Sequence, residues 1–142
     1  MIPTVEQPIP AQLISDAPRP VPLTVWLTYG AHDPLAVHMT FSADMSLNGT
    51  GVTWTFARAL LEAGLRAPSG VGDVRVRPCG RGRTAVELRS SQGVALLRFS
   101  TGRLRHFLLR TYAAVPADLE AGALDIDGTV AALLSDARDW QD

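Results

Sequence analysis

No lysine occurs among the 142 residues, so all thirteen permanent positive charges are arginines. Selection for bidentate guanidinium contacts would produce this, but a GC-rich genome, which favours Arg and Ala codons, explains it more simply. The single cysteine, Cys79, excludes an internal disulfide and fits a reducing cytoplasm. No apolar run approaches the ~20 residues that a membrane-spanning helix needs. The opening MIPTVEQPIPAQL has no basic stretch leading into an apolar one, so no secretory signal is expected. His32, His38 and His106 show no HxH, HxxxH or Cys/His spacing, so neither a metal site nor a cofactor is expected.

Charge is abundant but uneven. The net charge is −1, yet residues 58–110 carry eleven arginines against Glu62, Asp73 and Glu87, while residues 116–142 carry seven acids against Arg138. Either the acidic C-terminal segment folds back and balances the Arg-rich middle, or the middle presents an anion-binding face. The length suits one domain. Residues 1–22 hold six of the ten prolines and read as a Pro-rich N-terminal arm, with a short strand near Ala11–Ser15 and a stiff connector at Pro18, Pro20 and Pro22. Residues 23–142 then form the single domain.

Period-2 alternation marks half-buried antiparallel strands. Leu23, Val25, Leu27 and Tyr29 share one face, with Trp26 among threonines on the other. Val37, Met39 and Phe41 alternate with His38 and Thr40, and Val52, Trp54 and Phe56 with Thr53 and Thr55. Asn48-Gly49 is a hairpin signal. A short helix is expected over Phe56–Ala63, with Arg58 and Glu62 on its wet side and Gly64 as its stop. Strands follow at Asp73–Arg77, Arg83–Arg89 and Val94–Phe99, separated by glycine turns. Ser100 or Thr101 caps a helix to about Ala114, with Leu104, Phe107, Leu108 and Tyr112 on one stripe and Arg103, His106 and Arg110 opposite. A last helix is expected over Asp127–Asp139. The sum is an α+β domain: a mostly antiparallel, barrel-like sheet of six or seven strands, a short inserted helix and C-terminal helices.

No enzyme signature emerges. His32-Asp33 lacks a partnering Ser or Cys, and a turn before Pro34 explains the pair. Asp125–Gly128 lacks the later ligands of a calcium loop and reads as a helix cap. Gly70 and Gly72 precede a strand, whereas phosphate-cradling glycines open a helix. Cys79 has neither His nor acid beside it in sequence. Two surface constellations remain. Arg75, Arg77 and Arg83, with Arg81, Arg89 and Arg98, lie on adjacent strands and suit an anionic partner or single-stranded nucleic acid, but no aromatics interleave with them as stacking platforms. Trp26, Leu109 and Trp140 are large apolar groups off the core stripes: either they mark a protein interface, or a helix or the Pro-rich arm covers them within the monomer.

The combination of Val25–Tyr29 leading into Asp33–Val37, then Trp54–Arg58 with Leu60-Leu61, Gly64-Leu65, Pro68–Gly70, Gly72–Val76, Phe107–Thr111 and Val115-Pro116 resembles the SsgA-like sporulation and cell division proteins of actinobacteria. The match covers about four fifths of the chain in order and spacing, and the length is closest to the SsgB-type members. The resemblance implies a fold like the "whirly" single-strand-binding proteins and a homotrimeric assembly. It further implies a non-enzymatic, cytoplasmic role at the division septum, where SsgB-like members act with SsgA to place the GTPase FtsZ. Fold alone does not carry function, so nucleic-acid binding stays an alternative.

Overall fold

A computed structural model describes residues 5–16, 18–41, 52–91 and 93–117. In chain order these form β1 (Val5–Ile14), β2 (Val21–Tyr29), β3 (Ala36–Phe41), β4 (Val52–Ala57), α1 (Arg58–Gly64), β5 (Val74–Pro78), β6 (Arg83–Ser90), β7 (Gly93–Ser100) and α2 (Thr101–Ala114). The seven strands make one antiparallel sheet in the order β4-β3-β2-β1-β7-β6-β5. The sheet curls into a nearly closed barrel. Its two edge regions face each other across a cleft of about 760 Å3, lined by Trp54 and Phe56 of β4, Leu60 of α1, and Gly70 and Val71 before β5.

The alternation read from sequence decides which faces meet. Val25, Leu27, Tyr29, Val37, Met39 and Phe56 turn into the concave side with Val76, Val86, Leu97 and Phe99 of the other half, and all are buried. Helix α2 fills that concavity with Leu104, Phe107 and Leu108. Ser100 caps it by accepting a hydrogen bond from the Arg103 amide at 3.4 Å. Trp54 and Leu60 are half-buried against the core rather than fully inside it.

The N-terminus departs from the expected arm. Val5–Ile14 forms a strand of the sheet, paired with β2 along nearly its whole length, and Val5, Ile9 and Ala11 belong to the core. Prolines within a paired strand normally argue against it, because each removes a ladder donor. Here β7 pairs only with Ala11–Ile14. At Pro8 and Pro10, β1 therefore has a neighbour on one side alone, and a ring nitrogen turned to the open side breaks no ladder bond.

Two features of α1 also differ from expectation. Its first residue, Arg58, is completely buried rather than wet. Gly64 lies inside the helix, and Leu65 follows in right-handed conformation, so no left-handed glycine stop exists. Glycine is needed there for another reason: a Cβ would stand 2.3 Å from Val76 of β5. The hairpin signal at Asn48-Gly49, the Asp125–Gly128 segment and the helix expected over Asp127–Asp139 lie outside the described residues.

Candidate interaction surfaces

Arg58 is the most constrained polar group. Its guanidinium lies 4.8 Å from the ring centroid of Tyr29 and 4.1 Å from that of Tyr112. It donates to the carbonyls of Thr111 (3.1 Å) and Val115 (2.8 Å) at the C-terminal end of α2. The Thr111 carbonyl also accepts from the Val115 amide at 2.8 Å, the Val115 carbonyl lies past the last helical residue, and both sit at the negative end of the helix dipole. The Tyr112 hydroxyl in turn donates to Glu62 at 2.6 Å, and the Tyr29 hydroxyl to the Pro34 carbonyl at 3.0 Å. One guanidinium thus ties α1, β2 and α2 together and fixes the helix that displays Leu109. Sequence reading missed it because an i,i+4 Arg–Glu spacing reads as a surface pair; Glu62 instead meets Arg66 and Tyr112.

The expected apolar surface groups are exposed but do not converge on one spot. Trp26 is 42% exposed on the outer face of β2, with Pro8 of β1 and Thr40 of β3 beside it in register. Leu109 is 62% exposed on α2. It borders a groove of about 200 Å3 between the helices, shared with Leu65, Arg66, Arg105 and Tyr112. Trp140 lies outside the described residues.

The arginines of β5–β7 do come together. Arg75 and Arg77 of β5 stand beside Glu87 and Ala85 of β6, and Ala85 is flanked on its other side by Arg98 of β7. Glu87 binds Arg89 at 2.6 Å and Arg77 at 3.5 Å. Its carboxyl is held below the ordinary value, chiefly by the hydrogen bond from Arg89 and then by the charges of Arg89, Arg77 and Arg75, with desolvation opposing. Arg98 donates to Gln12 of β1 through Nε at 3.1 Å and through Nη2. Arg83 is exposed.

The chemical candidates stay apart. Asp33 lies 3.8 Å from His38 Nε2, not beside His32, and His38 Nδ1 meets Thr55 Oγ1 at 2.8 Å. That row has the residue types of a relay. The Asp–His separation is too long for a hydrogen bond, however, and the Thr hydroxyl sits on an exposed sheet face. Among the described residues no three His, Cys, Asp or Glu side chains are placed to hold a metal ion, and no helix is long and apolar enough to cross a membrane. Cys79 is half-buried, its amide bonded to the Arg83 carbonyl in a turn.

The described residues form a single antiparallel, nearly closed barrel-like sheet filled by α2, the class of domain that the SsgA-like structures share. Residues 23–120 match the family described as "SsgA: Streptomyces sporulation and cell division protein", and the chain belongs to that family. It is 41% identical over 135 residues to "Sporulation-specific cell division protein SsgB" of Salinispora tropica, covering 93% of this chain and 94% of the relative. The SsgB protein of Streptomyces coelicolor is 37% identical over 137 residues, 94% of this chain and 98% of its own. The solved structure of an SsgA-like sporulation-specific cell division protein from Thermobifida fusca superposes with a TM-score of 0.75 at 36% identity, covering 87% of this chain and 90% of that one.

Proposed function

We propose that this protein is a non-enzymatic regulator of sporulation-specific cell division. It works as a cytoplasmic protein–protein adaptor that helps position or recruit FtsZ at septum sites together with an SsgA-like partner. The observation that carries the reading is the family match across the whole described domain from β2 onward, with SsgB relatives above one third identity over nearly their full length. The surface supports it: Trp26 and Leu109 are large apolar groups held out to solvent by rigid elements, as protein interfaces favour. Homotrimeric assembly belongs to the same proposal and would cover a sheet edge. Bacterial two-hybrid analysis and co-sedimentation with FtsZ and an SsgA-like partner test it. Association that weakens in Trp26→Ser or Leu109→Ser is the expected result. Failure to associate with any division protein at tens of micromolar would sink the proposal.

A further inference from the structure

The outer face of β5–β7 carries a cationic ladder that neither the core nor the Trp26 and Leu109 surfaces use. Register places Arg83 opposite Ser100, Ala85 between Arg77 and Arg98, Glu87 between Arg75 and Leu96, and Arg89 opposite Val94. Each successive outward row therefore holds at least one guanidinium, with the carboxylate of Glu87 among them and Asp73 opposite Arg89, whose amide donates to the Asp73 carbonyl at 2.8 Å. Rows along a strand repeat about every 7 Å, which is also the repeat of side chains on one face of an extended peptide. Between Arg77 and Arg98 the small Ala85 is covered, only 2% exposed, and Val94, 62% exposed, adds apolar contact at the margin.

We propose that this face docks an extended acidic segment of a partner protein, with carboxylates at alternate positions meeting successive arginine rows. Glu87 displays the chemistry in miniature, since one carboxylate is bound there by two guanidiniums. Arg75 and Arg83 are the donors left for a partner: Arg75 spends one N–H on the Gly72 carbonyl at 3.4 Å, and neither makes an ion pair among the described residues. A nucleic acid fits less well. No aromatic side chain points outward from β5, β6 or β7 to stack a base. The proposal concerns a different face from Trp26 and Leu109 and stands apart from FtsZ binding.

The test is fluorescence anisotropy of a labelled alternating Glu-Ala dodecapeptide with the full chain at ~20 mM salt, where screening is weak. Saturable binding that falls with added salt is expected. Loss of two exposed ion pairs in Arg75→Ala/Arg83→Ala should weaken it about tenfold. The charge-matched control Arg103→Ala/Arg105→Ala, on α2, should leave it unchanged. No binding, or equal weakening in both double variants, overturns the proposal. So does a single-stranded oligonucleotide that binds more tightly and displaces the peptide, since that assigns the face to nucleic acid. Two-hybrid data on Trp26 and Leu109 variants report separately on the adaptor role, so the two readings can fail independently.

Discussion

The guanidinium of Arg58 stacks 4.1 Å from the ring centroid of Tyr112 while donating to the Val115 carbonyl at 2.8 Å. The pair joins the first residue of α1 to the last turn of α2. Replacing Arg58 by Ala removes the side-chain donor to the Val115 carbonyl and one of two donors to the Thr111 carbonyl, and opens a cavity between two tyrosines. It should cost about 3 kcal/mol. Arg58→Lys keeps the charge but loses the flat stacking surface and the fork of donors, and should fall between wild type and Ala. Urea unfolding measures both, and equal stability of wild type and Arg58→Ala would contradict the account.

Tyr112→Phe separates the two contacts of that ring. The stack on Arg58 persists, but the 2.6 Å bond to Glu62 is lost. A loss of about 1 kcal/mol is expected, and Glu62→Gln should lower the additional cost of Tyr112→Phe in a double-mutant cycle.

Gly64→Ala should destabilise although alanine favours helix by about 1 kcal/mol. The added methyl would stand 2.3 Å from Val76, and overpacking of this kind costs about 1–3 kcal/mol. Gly72→Ala is the control, because a Cβ there meets nothing within 4 Å. A Gly64→Ala protein as stable as the Gly72→Ala one would refute the steric explanation.

Leu109→Ser removes a side chain that is 62% exposed and should change folding stability by less than about 0.5 kcal/mol. If the α2 face is an interface, partner association drops in the same variant. Thermal melts and two-hybrid signals on one set of samples distinguish a binding loss from a folding loss.

Glu87 gives the protein an acid-side dependence of known sign. Its carboxyl titrates below the ordinary value of 4.5 when folded, so the folded state binds its proton less readily than the unfolded chain does. The stabilisation is fully present above the unfolded value and is lost as pH falls through the folded one. Other carboxylates titrate in the same range, so the comparison is with Glu87→Gln. Its melting temperature should fall less than that of wild type between about pH 5.5 and pH 3, a range that spans the ordinary carboxylate value and the region below it. Parallel curves for the two proteins would remove Glu87 from the acid response.

The strand faces, the inward stripe of α2 and its Ser100 cap were legible in sequence because they depend on near neighbours. Period-2 alternation in Val25–Tyr29 fixes which side chains share a face, whatever lies opposite. The same logic placed Trp26 and Leu109 outside. It failed at Arg58, where the spacing to Glu62 fits a wet pair but the groups that bury the guanidinium come from residues 53 and 57 positions later. It also failed at Pro8 and Pro10, whose place in the sheet depends on where β7 stops pairing with β1.

What the sequence determined by itself is therefore the strands β2 to β7, the helices α1 and α2, most of their inward faces and the family, each set by local periodicity or by the order of short motifs. The tertiary structure alone decided that Val5–Ile14 joins the sheet, that Gly64 exists for the closeness of Val76, that Asp33 meets His38 rather than its neighbour His32, and that the β5–β7 arginines form one ladder around Glu87. Each of these is a contact between segments distant in sequence or a side-chain orientation set by the folded backbone. Burial, register and close approach exist only once the sheet has curled around α2.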